Sequence, residues 1–187
     1  LVFFVPFLWF GGLQGFQQFL LNQQAIQSSM RSDYFTSIPS IANYLSAEFG
    51  WNVAVTQPLG QAIAALFALL LAAAIVLQRK LWLRVTLMVS LFTLVPGWSA
   101  EYMAIYMILP FVLFYCEERN ARTETLYAAL FACVLILLPF SAPLAWHTPQ
   151  SVNMLVCFAA LYLLSIVGLV DTFANYAATK RLKERAV

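Results

Sequence analysis

"AIAALFALLLAAAIVL", residues 62–77, contains no charge, no amide and no hydroxyl, and its reading decides the fold. A strand of a membrane barrel alternates polar and apolar residues, and this run does not alternate. A helix at the surface of a soluble protein keeps a polar face, and this run has none. Extended back to Pro58, it matches the ~20 residues of helix that cross ~30 Å of hydrocarbon. A helix suits that setting because all its backbone groups bond within their own segment.

The whole chain has the same character. Of its 187 residues 63% are hydrophobic and 10% charged, and the mean hydropathy is +0.81. Soluble domains average about 45–50% apolar and about 25% charged, so a soluble fold of this composition would be covered in apolar patches. The expected class is all-α: a polytopic membrane protein forming a single helical transmembrane domain over 1–187.

About six hydrophobic segments are expected, near 1–16, 58–77, 81–98, 100–116, 125–142 and 152–173. Leu1 lies inside an apolar run with no basic region before it and no small-residue cleavage site. That is not a signal peptide. The chain reads as a fragment of something longer, with the first segment truncated.

Nine of the ten Lys and Arg residues fall in three places: Arg79, Lys80 and Arg84; Arg119 and Arg122; and Lys180, Arg181, Lys183 and Arg185. In an alternating arrangement these share one side, and positive charge stays cytoplasmic. The expected location is therefore the cytoplasmic membrane, with the carboxy terminus inside. Membrane lipids are the expected surroundings.

Residues 17–57 would then face outward. Within them, "TSIPSIANYLSAEFGWN" reads as a short amphipathic helix. Pro39 suits its first turn and Gly50 its stop. Ile38, Ile41, Leu45 and Phe49 recur on one face, which would lie on the outer membrane surface with Trp51 at the interface. Cys116, Cys133 and Cys157 fall in or beside spans, leaving no outer disulfide. They read as small packed hydrophobes.

Site candidates come from polar residues where the membrane penalises them. Glu101 lies in "VPGWSAEYMAIYMILP", 17 residues from Arg84 and 16 from Glu117. At ~1.5 Å per residue both arms fall slightly short of ~30 Å, which puts Glu101 at or just below the outer boundary. Either it binds something there, beside Tyr102, or it snorkels to water between the interfacial rings of Trp98 and Tyr102. Arg31, beside Asp33 and Tyr34, sits on the side that positive charge avoids. Its guanidinium suits a phosphate, or equally an ion pair with Asp33 or a lipid headgroup. Asn22 and Gln23, within an amide-rich run, suit sugar hydroxyls or a plain soluble helix face. His147 reads as a loop residue and Asp171 as interfacial. There is no Walker loop, metal-ligand spacing or nucleophile elbow, and no basic patch for nucleic acid. No metal or other cofactor is expected.

The stretches "NQQAIQSS" and "LVPGWSAEYMAIYMILPFVLFY" resemble the carboxy-terminal half of polytopic GT-C glycosyltransferases, nearest to family 87 (DUF2029-like). The matching positions are Asn22 to Ser28, then Pro96, Ser99, Tyr102 and Pro110. The resemblance covers about residues 10–140 and implies sugar transfer from a polyprenyl-phosphate donor to a glycan or lipid acceptor outside the membrane. It also implies that the catalytic acid lies outside this fragment. Arg31 is then expected to meet the lipid phosphate, and Glu101 with Tyr102 the sugar or acceptor. The alternatives are half of a transporter or flippase, and a non-catalytic membrane scaffold.

Overall fold

A computed structural model describes residues 12–15, 17–18, 21–22, 37–96, 105–117, 121–135 and 152–185, which contain helices and no strand. The chain divides into two units, 1–32 and 33–187. In the first, the described residues are helical. The second holds α1 (Ile38–Phe49), α2 (Val53–Leu77), α3 (Leu81–Leu94), α4 (Ile108–Cys116), α5 (Ala121–Leu135) and α6 (Val152–Arg185).

Two helices are long and apolar enough to cross a membrane: Val53–Leu77 and the Leu155–Leu182 part of α6. Three further apolar helices, Leu81–Leu94, Ile105–Cys116 and Glu124–Leu135, are shorter. At ~1.5 Å per residue, α3 reaches only about 21 Å, less than the expectation for 81–98. The first segment lies largely outside the described residues.

The surface of α2 explains its length. Its buried positions are small or near one stripe: Thr56, Gly60, Ala64, Leu71 and Ala74. Beyond the amides Gln57 and Gln61 near its start, its exposed surface is apolar, with Leu59 56%, Leu69 69% and Val76 78% exposed. A soluble helix with this much exposure would carry charge there; lipid-facing helices reverse that rule and put small residues inward.

The structure shows how α1 begins, ends and packs. Its ends are where the sequence put them. Ser37 and Ser40 form a reciprocal cap and Pro39 sits in the first turn. Gly50 ends the helix at φ 64°, the left-handed conformation that costs a residue without Cβ nothing. Asn52 then caps α2, its side chain accepting from Ala54 N at 3.0 Å. This tight connection starts α2 at Val53, five residues before the expected 58.

On α1, Tyr44 and Ser46 are buried, Ile38, Ile41 and Leu45 are half-buried, and Phe49 is exposed. Ala42 and Ser46 are set against Gly60 and Thr56 of α2. A Cβ on Gly60 would come within 2.5 Å of Ala42 Cβ, and the hydroxyls of Ser46 and Thr56 hydrogen-bond each other. The pairs 42–60 and 46–56 run in opposite directions, so α1 lies antiparallel along α2 for at least one turn.

The core is shared by α2 to α6. Leu71, Leu87, Phe131, Leu161 and Leu164 are fully buried. Gly168 brings α6 against α3: a Cβ there would meet Leu83 Cδ1 at 3.0 Å and Leu87 Cδ2 at 3.1 Å. The sequence expected α6 to end near 173. Instead it runs 34 residues to Arg185, and from Ala174 to Leu182 every residue is exposed. The basic tail is thus the end of one long helix that outruns its neighbours.

Candidate functional site

Among the described residues, polar side chains converge at the end of the bundle where α2 turns into α3. Gln78 caps that turn from inside. It is buried, and its Oε1 accepts from Arg79 N at 2.8 Å and Lys80 N at 3.0 Å. Its Nε2 donates to Thr172 Oγ1 on α6 at 2.8 Å. Its backbone carbonyl accepts from Arg84 Nε at 3.1 Å and Nη2 at 2.5 Å. A chain reversal leaves backbone N–H and C=O groups without helical partners; the Gln78 amide serves the N–H groups of Arg79 and Lys80, and the Arg84 guanidinium serves the Gln78 carbonyl.

The next residue of α6 does the same for α5. Asp171 Oδ2 accepts from Tyr127 Oη at 2.7 Å. Asp171 was read from sequence as merely interfacial. The structure gives it a named donor from another helix, which is how an acidic group near an apolar core keeps its charge supported. The buried Trp82 ring packs edge-on to Phe114 and Tyr127 at 4.9 Å each. Together these contacts tie α3, α4, α5 and α6 at one level.

Higher in the bundle, buried hydroxyls turn back on their own helices. Thr86, Ser90 and Ser165 donate to the carbonyls of Trp82, Thr86 and Leu161 at 2.7–2.9 Å. Tyr162 differs: its hydroxyl is buried and has no hydrogen-bond partner among the described residues. No group of three or more His, Cys, Asp or Glu suited to a metal occurs among the described residues. Of the cysteines, Cys116 and Cys133 are exposed and only Cys157 is half-buried, its thiol donating to Val134 O at 3.4 Å. The small-hydrophobe reading therefore fits Cys157 alone.

Of the sequence candidates, Asn22 is described. It is exposed on the helical residues of the first unit and accepts from Gln18 Nε2 at 3.3 Å, the pairing of an ordinary helix face. Gln23, Arg31, Asp33, Tyr34, Glu101, Tyr102 and His147 lie outside the described residues. Sequence reasoning missed Gln78, Thr172 and the Tyr127–Asp171 pair. The available signal for Gln78 was a lone amide between a long uncharged run and a basic turn. Comparison of the chain with models of protein families, with curated proteins and with solved structures gives no match.

Proposed function

We propose that this chain is the membrane-embedded carboxy-terminal part of a glycosyltransferase that takes a sugar from a polyprenyl-phosphate donor. In this reading about six segments cross or enter the cytoplasmic membrane. The basic turn at Arg79–Lys80 and the end of α6 lie on the cytoplasmic side, and the reaction takes place on the opposite side. The acceptor is a glycan or a lipid, and the catalytic acid belongs to a part of the protein beyond this chain. Arg31, with Asp33 and Tyr34, would hold the donor phosphate through a planar fork of donors. Glu101 and Tyr102 would meet the sugar or acceptor, and Asn22 and Gln23 its hydroxyls.

The observation that carries this reading is the sequence pattern from Pro96 through Ser99 and Tyr102 to Pro110, joined to the amide-rich stretch at Asn22–Ser28. Two helices of membrane-crossing length and apolarity support its setting.

The test uses the full-length protein in membranes, with a radiolabelled polyprenyl-phosphate sugar. Loss of a hydrogen bond to a charged group costs ~1.5–3 kcal/mol, so Glu101→Gln and Arg31→Ala should each slow transfer by about tenfold or more. Unchanged transfer in both variants would remove them from the site.

A further inference from the structure

The antiparallel packing of α1 on α2 has a consequence for lipid contact. α2 ends at Leu77, just before Arg79 and Lys80, which fixes one membrane boundary. About 30 Å of hydrocarbon, at ~1.5 Å per residue, places the other boundary near Pro58. Thr56 then lies about 3 Å outside the hydrocarbon, Gly60 about 3 Å within it and Ala64 about 9 Å within it. α1 follows the same scale in reverse. Ser46 pairs with Thr56 outside, whereas Ala42 Cβ, Pro39 Cα and the Ile38 carbonyl all crowd Gly60 inside.

The start of α1 is built for a place without water. The first turn of a helix leaves N–H groups unpaired, and in lipid each costs several kcal/mol. Here Ser37 N donates to Ser40 Oγ at 2.9 Å and Ser40 N to Ser37 Oγ at 3.4 Å. Ile41 N donates to Ser37 O at 3.0 Å, and Pro39 has no N–H to satisfy. Ser37 is fully buried. The other end of α1 is different: Phe49 and Trp51 pack ring to ring at 6.0 Å and are both exposed, the residue types that settle at headgroup level.

We propose that α1 is a membrane-dipping helix. Its Ser37 end is immersed in the leaflet farther from Arg79 and Lys80, its Phe49–Trp51 end rests among headgroups, and lipid acyl chains meet the part of Ile41 and Leu45 that the protein leaves uncovered. Ile41 and Leu45 are half-buried, and Leu59 and Leu66 of α2 are exposed. The inference rests on α2 crossing the bilayer and is independent of sugar transfer.

Spin labels test it. Cys116, Cys133 and Cys157 are replaced by Ser, and single cysteines are placed at Ile41, Leu45, Trp51 and, as a depth standard on α2, Leu66. The full chain is reconstituted in phosphatidylcholine–phosphatidylglycerol vesicles, and collisions with oxygen and with a water-soluble nickel chelate are measured. The ratio of oxygen to nickel contact should rise from Trp51 through Leu45 to Ile41, with Ile41 reading about 10 Å deeper than Trp51. Nickel contact at Ile41 equal to that at Trp51 would mean a surface helix and overturn the proposal. So would exclusion of both reagents at Ile41 and Leu45 with broadening that grows with protein density, because a second copy would then cover the face.

Discussion

Gln78 Nε2 donates to Thr172 Oγ1 at 2.8 Å, joining positions 94 residues apart in the chain. Thr172 passes its own proton to Gly168 O at 2.7 Å, and Gly168 is the residue that lets α6 approach α3. One amide therefore links the α2–α3 turn to the close approach of α6 and α3 at Gly168.

Replacing Gln78 with Leu would keep the packing volume and remove all three side-chain bonds. The N–H groups of Arg79 and Lys80 would be left without their acceptor. A buried group left unsatisfied costs ~1–3 kcal/mol, and inter-helix hydrogen bonds in membranes average ~0.6 kcal/mol. The expected loss in Gln78→Leu is about 2 kcal/mol, read by reversible unfolding in mixed micelles. Stability equal to the parent would mean that water or lipid already serves these groups.

Tyr127 and Asp171 should be coupled. Tyr127→Phe removes the hydroxyl that donates, whereas Asp171→Asn keeps an acceptor oxygen for it. The single changes should therefore differ, the tyrosine variant losing more. A double-mutant cycle should return a coupling of about 0.5–1.5 kcal/mol, within the range of membrane hydrogen bonds. A coupling near zero would show that the bond at 2.7 Å contributes nothing net.

The two close-packed glycines should differ in tolerance. At Gly60 the obstacle is Ala42 Cβ at 2.5 Å, fixed to its backbone; at Gly168 it is the mobile ends of Leu83 and Leu87 at 3.0 and 3.1 Å. Gly60→Ala must push α1 away from α2, whereas Gly168→Ala needs only a leucine adjustment. Overpacking costs ~1–3 kcal/mol, and Gly60→Ala should fall at the upper end and Gly168→Ala at the lower. The same unfolding measurement ranks them, and the reverse order would contradict the packing described.

How much was legible in the sequence follows from what drives each feature. Pro39 and Gly50 marked the ends of α1 because caps are local backbone chemistry. The contact of α1 with α2 was not legible because Ile38, Ile41, Leu45 and Phe49 carry the hydrophobic signal, while Ala42 and Ser46 meet Gly60 and Thr56. In lipid, apolar side chains gain little by leaving one apolar neighbour for another, so small residues and hydroxyls decide which faces meet. The length of α6 was missed because Lys180, Arg181 and Lys183 read as a tail, although lysine and arginine favour helix well. The Tyr127–Asp171 pair was unreadable: its partners lie on separate segments with no spacing rule to join them. Of the proposed substrate-side residues, only Asn22 is among those described, and its bond to Gln18 is local.

The central physical claim is that α2 crosses a bilayer and α6 returns with its basic end on the side of Arg79 and Lys80. The most direct measurement places single cysteines at Trp51 and Arg181, with the native cysteines replaced, and labels sealed vesicles with an impermeant maleimide before and after permeabilisation. One site should label in intact vesicles and the other only once the membrane is opened. Labelling of both from the same side in intact vesicles would contradict the arrangement.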